Sequence, residues 1–156
     1  MKIKKVTINN YKKAFEVQTA KGIYSLPFSK SEVIPSEKNR VVKVYVDPDL
    51  AKEGITYVLE SGKENSLMLD AFLDYNRDPE YMRKMLLYRL TMQALELLEK
   101  SGVSKRELAR KLRTSPAQIY RLLDTTNYSK TVDNMVRLLA VLGFEVDFKV
   151  VKAQAA

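Results

Sequence analysis

The apolar side chains of this chain change their spacing once. Up to about residue 74 they recur at every second position, and from residue 80 at every third or fourth. A period of two belongs to a strand with one buried face, and a period near 3.6 to an amphipathic helix. No single regular element satisfies both. The sequence therefore predicts two parts, a β-rich domain over 1–78 and a helical one over 79–152. The junction carries its own signal: Asp78 suits a helix cap, Pro79 the first turn, and Glu80 the positive end of the helix dipole.

Within the first part, alternation predicts strands at 2–8, 14–19, 23–27, 41–46, 55–59 and 66–69, with turns at Gly22 and Gly62. Residues 15–26 and 55–69 share an order of strand, polar turn with glycine, strand, and each is followed by a short stretch with acidic residues, 29–33 and 70–74. Two hairpin units folded into one small curved sheet account for this pattern.

The second part reads as helices. Leu87, Leu90, Ala94 and Leu98 mark one face of residues 80–100, while Met85, Tyr88, Met92 and Leu95 mark the next. So wide a stripe suits a helix packed on two sides, either within its own chain or against a second subunit. Ser104 with Glu107 has capping-box spacing, Ser115-Pro116 starts another helix, and Thr131 starts a last one that Gly143 stops. Residues 144–151 alternate again as a final strand, and Ala-Gln-Ala-Ala reads as a frayed end.

Composition removes most catalytic chemistry. With no Cys and no His, thiolate nucleophiles, Ser-His triads and His-containing zinc sites are excluded. Only 5 Gly occur and none form a phosphate-cradling loop. Asp47 and Asp49 sit in Val-Asp-Pro-Asp-Leu, which reads as a turn and not as a metal pair. Neither an enzyme nor a cofactor is expected. Tyr11, Phe15, Tyr24, Phe28, Tyr45 and Tyr57 suit a plain core better than a ligand pocket. No apolar run approaches 18 residues and no h-region follows the basic start, so neither a membrane span nor a signal peptide is expected. A chain without cysteine fits the reducing cytoplasm.

The net charge of +8 is concentrated. Residues 81–130 carry 11 Lys and Arg against 4 Asp and Glu, whereas 1–80 carry 13 against 12 and 131–156 carry 3 of each. A localised positive field attracts anionic polymers; its alternative reading is a solvated basic face.

Two short helices, from Ser104 and from Ser115, are separated only by Arg113-Thr114, with small Ala109 where they cross. Ser104-Lys-Arg-Glu-Leu-Ala-Arg-Lys-Leu112, Thr114-Ser115, Ile119 and the spaced Val132, Leu138, Leu139, Leu142 and Gly143 resemble the XRE-type, phage-repressor-like helix-turn-helix family over about 101–143. That family's pattern is Thr/Ser-x-x-x-Leu-Ala-x-x-Leu-Gly-Val-Ser-x-x-x-Ile. The chain departs from it at Arg113, which stands at the turn glycine, and at Leu123-Asp124-Thr125, which replaces Glu-x-Gly. Taken with the alternation before residue 78 and after residue 143, this resemblance predicts an α+β chain: a small antiparallel β-rich domain, then an all-α helix-turn-helix domain with a C-terminal β-strand.

The resemblance also implies roles. Ala117, Gln118, Tyr120 and Arg121 fall at base-contacting positions of a helix lying in the major groove of double-stranded DNA. Lys105, Arg106 and the helix start at Ser115 fall at phosphate-contacting ones, flanked by Arg113, Tyr128 and Lys130 as further backbone contacts. The expected function is a dimeric, sequence-specific repressor, with residues 80–100 or 144–151 as its homodimer element. The alternative is an antitoxin that holds a toxin through residues 1–78 and represses its own operon.

Overall fold

The computed structural model describes residues 1–153. They divide into two compact units, Met1–Tyr81 and Met82 onward. The first holds six strands, β1 (Ile3–Asn9), β2 (Ala14–Thr19), β3 (Ile23–Pro27), β4 (Val41–Val46), β5 (Gly54–Leu59) and β6 (Glu64–Met68), then helix α1 (Leu69–Tyr75). Helix α2 (Pro79–Ser101) begins at the end of this unit and continues into the second, followed by α3 (Lys105–Lys111), α4 (Pro116–Leu123) and α5 (Val132–Val141).

The strands form two three-stranded antiparallel sheets, ordered β1-β2-β3 and β4-β5-β6. The single curved sheet anticipated from the hairpin pattern is therefore incorrect. The repeat itself is larger than the sequence suggested. Each half is a meander, each has a register shift near the start of its first strand (between Ile3 and Lys5, and between Val41 and Lys43), and each is followed by a helical turn, Phe28–Lys30 or α1. The stretch after β6 is thus a helix, which buries Leu69, Phe72 and Leu73.

The core of this unit joins both meanders. Phe15, Val17, Leu26, Ile55, Tyr57 and Phe72 are almost wholly buried. Phe15 meets Phe28 at 4.9 Å and Tyr57 at 4.6 Å between ring centres, and the Tyr57 hydroxyl donates to the Val33 carbonyl at 2.6 Å. A buried phenol needs such a partner. Of the aromatics considered for a pocket, Phe15 and Tyr57 lie in this core and Tyr24 and Phe28 pack against it, whereas Tyr11 is 96% exposed. The Asp47 region is a turn: Asp47 accepts from the Asp49 backbone N–H and from Thr56 Oγ1.

The second unit corrects the expected architecture. In place of an all-α domain closed by a C-terminal strand, four helices lead into residues 144–153, which form neither helix nor strand. A strand requires a neighbour to receive its backbone hydrogen bonds. Every other regular element in this unit is a helix, and beyond the Phe144 N–H, which bonds to Leu139, no backbone–backbone bond holds the segment among the described residues. The expected fraying of the Ala-Gln-Ala-Ala end lies, from Gln154 on, outside the described residues. Leu87, Ala94, Leu108, Ile119, Met135 and Leu138 build the helical core. Among the described residues no helix is long and apolar enough to cross a membrane.

Candidate nucleic-acid interface

Helix α3 starts at Ser104, whose hydroxyl accepts from the Glu107 N–H at 3.1 Å. The reciprocal half of the expected capping box is replaced by ion pairs, since the Glu107 carboxylate lies 3.9 Å from Arg110 and 3.8 Å from Lys111. The complete capping box belongs to α5, between Thr131 and Asn134. Leu108 and Ala109 are buried, leaving Arg106 and Arg110 on the exposed side of α3.

The turn between α3 and α4 closes as a Schellman motif. The Arg113 N–H bonds to Arg110 O at 3.1 Å and the Thr114 N–H to Ala109 O at 3.0 Å. Arg113 carries φ +54°, the left-handed conformation that side chains with a Cβ pay about 1–2 kcal/mol to adopt. Glycine would adopt it freely. An exposed arginine occupies the position instead.

Helix α4 follows at once. Ser115 accepts from the Gln118 N–H at 3.2 Å and Pro116 fills the first turn, where its missing N–H costs nothing. Ile119, Leu122 and Leu123 are buried. The opposite side presents Ala117, Tyr120 and Arg121 to solvent, with Gln118 half-buried at its edge. Tyr120, a large aromatic, is 59% exposed. Lys105 leans over it, with Nζ 4.4 Å from the ring centre. Of the residues assigned from sequence, Ala117, Tyr120 and Arg121 are exposed on α4, Ser115 at its start and Arg113 in the turn before it, Arg106 is exposed on α3, and Lys105 contacts Tyr120.

One assignment needs correction. Lys130 is buried, and its ammonium donates to Leu122 O at 2.7 Å and to Asp124 O at 2.8 Å. It satisfies the open carbonyls at the C-terminus of α4, so it is not an exposed phosphate ligand. Burial pushes its pKa down, opposed by the nearby Asp124 carboxylate. Tyr128 is half-buried against the helical core, its carbonyl accepts from Arg83 at 3.1 Å, and Lys84 lies 5.6 Å from its ring centre.

Sequence reasoning missed that the exit loop after α4 is built to hold that helix end. Asn127 Nδ2 donates to Arg121 O at 3.0 Å, alongside the Lys130 bonds. The exposed Asp124 carboxylate closes the loop, accepting from the Thr126 hydroxyl at 2.7 Å and backbone at 2.9 Å, which lowers its pKa. The run Asp124-Thr-Thr-Asn127 carried the signal, since Asx and Ser/Thr side chains close such turns.

Compared with protein families, curated proteins and solved structures, the chain matches none.

Proposed function

We propose that this protein is a sequence-specific DNA-binding regulator that acts as a two-fold dimer, most simply as a repressor, with α3 and α4 as its helix-turn-helix and α4 as the reading helix. The observation that carries this reading is the composition of the α4 outer face. It exposes Ala117, Tyr120 and Arg121, with Gln118 at the edge, while Ile119, Leu122 and Leu123 anchor the helix to the core. Lys105 meets this face at Tyr120, and Arg106, Arg110 and Arg113 of α3 and the turn are exposed. A helix fixed from behind and preceded by exposed cations is suited to a groove with phosphates on both walls.

The residue types supply readout. Arg121 can donate two hydrogen bonds to guanine O6 and N7, and Gln118 can pair with adenine N6 and N7. Ala117 can touch a thymine methyl group. Arg106 and Arg113 can bind phosphates, as can the N–H groups at the start of α4. Such a regulator would work in the cytoplasm, consistent with a chain lacking cysteine.

Selection from a random duplex library, followed by titration of the selected duplex, tests the reading. Gln118→Ala with Arg121→Ala should abolish preference for the selected sequence while leaving weak, salt-sensitive binding to any duplex. Unchanged preference in that variant rejects the assignment of α4.

A further inference from the structure

Residues 144–151 have the side-chain order of a strand and no strand to join. Phe144, Val146, Phe148 and Val150 alternate with Glu145, Asp147 and Lys149. Val146 packs partly against the helical core, yet Phe148 is 82% and Val150 87% exposed. The segment borders a groove of about 1000 Å3 whose apolar walls include Leu86 and Leu97 of α2 and Val132, Val136 and Leu139 of α5. Leu86, Val132 and Val136 are themselves exposed along it. Apolar side chains left in water beside an unfilled apolar groove mark an interaction surface.

We infer that a second copy of this chain occupies this surface: the two 144–151 segments pair antiparallel across a two-fold axis at Phe148, laying one apolar face of the ribbon over both grooves. The pairing supplies backbone partners to a segment whose Phe144 N–H bonds to Leu139 O and whose Phe148 N–H bonds only to its neighbour's Asp147 carboxylate, at 2.8 Å.

The charges along the segment identify the occupant. Antiparallel self-pairing must put the apolar series opposite itself, so the axis passes through a residue and not between two. An axis at Val146 sets Glu145 against Asp147. An axis at Asp147 or at Lys149 sets that charge against its own copy. An axis at Phe148 alone faces Asp147 with Lys149 on both sides and Val146 with Val150. Like charges directly opposite destabilise a strand pair and unlike charges support it. The segment is thus complementary to itself in one register. The pairing does not depend on DNA binding, although a shared axis would also set the spacing of two α4 helices.

The chain contains no cysteine, so single substitutions report the register without background. Phe148→Cys places two sulfurs opposite each other, within the Cα spacing a disulfide accepts, and should cross-link under mild oxidation. Val150→Cys places its two copies four residues apart along the ribbon, roughly 13 Å, and should not. In sedimentation experiments Asp147→Lys should weaken the dimer by about tenfold, and combining it with Lys149→Asp should restore it. A monomeric wild-type chain overturns the inference, as do equal cross-linking at the two positions, a double variant no better than the single one, or a segment that pairs only with another protein. The two readings fail separately: an unsubstituted chain that dimerises but shows no duplex preference rejects the reading of α4, and an unsubstituted chain that binds a selected duplex as a monomer rejects the paired segments.

Discussion

The Lys105 ammonium lies 4.4 Å from the centre of the Tyr120 ring, so the first residue of α3 rests on the outer face of α4. An exposed cation–π contact is worth about 0.5–1 kcal/mol, enough to bias where a flexible lysine points. Tyr120→Ala should therefore destabilise the protein by about that amount in chemical denaturation and weaken duplex binding further by freeing Lys105. Tyr120→Phe retains the ring face and should behave like the parent in both assays. Equal losses in the two variants would assign the effect to the hydroxyl and remove the cation–π account.

On the proposed function, Arg113 would set stability against duplex binding. Its φ of +54° favours glycine, and the backbone bonds of the turn do not require its side chain. Arg113→Gly should leave stability unchanged or raise it by about 0.5–1 kcal/mol, relief of the left-handed strain being partly offset by the freer unfolded chain. If the guanidinium binds a phosphate, the same change should weaken duplex binding and lower the slope of log affinity against log salt by about 1. A stabilised variant with undiminished affinity would show that the arginine does not touch DNA.

Lys130 should give the opposite result. Lys130→Met keeps much of the apolar stem but takes the ammonium donor from Leu122 O, while Asp124 O keeps the Asn127 N–H at 3.2 Å. A buried acceptor left unpaired costs about 1–3 kcal/mol, which thermal or urea unfolding will resolve. The salt slope of DNA binding should not change, because the ammonium is turned into the protein. A reduced slope at full stability would return Lys130 to the phosphate-contacting set.

The contrast between these residues marks how far sequence reasoning reached. Strand and helix positions were legible because their signals are local: alternation in β2, Ser115-Pro116 before α4, and Gly143, at φ +89°, after α5. What was not legible depended on partners distant in sequence. Two meanders and one curved sheet share the same alternation, and only the pairing of β4 with β5, and not with β3, distinguishes them. The 144–151 segment carries a strand's pattern, but a pattern does not supply a neighbouring strand. Lys130 looked like one more cation beside a basic helix. Its burial follows from the α4 carbonyls eight and six residues earlier in the chain, which a lysine stem can reach. Arg113 was visible as a departure from glycine, whereas its positive φ emerged only from the folded turn.

The strand-rich unit has a pH limit at each end. Tyr24 donates its hydroxyl to Asp78 at 2.9 Å, and Asp78 also accepts from the Tyr81 N–H at 3.0 Å, capping the start of α2. The Tyr81 bond, helped by Tyr24 and Lys21 and opposed by partial burial, holds the Asp78 pKa below its ordinary value. A lowered carboxyl pKa means that the folded state prefers the anion. This contribution is complete above the unfolded value near pH 4 and is lost as pH falls through the lower folded value. For Tyr24, burial first and then the Asp78 bond and charge raise the pKa. The folded state prefers the neutral phenol, so that contribution is complete below about pH 10 and disappears as pH rises through the higher folded value. Unfolding followed through the tyrosine and far-ultraviolet signals should show stability falling at both extremes. Asp78→Asn should flatten the acid limb, and Tyr24→Phe should flatten the alkaline limb while leaving most of the acid limb in place. An acid limb unchanged by Asp78→Asn would mean that other carboxylates control unfolding there, and that the cap on α2 contributes no measurable pH dependence.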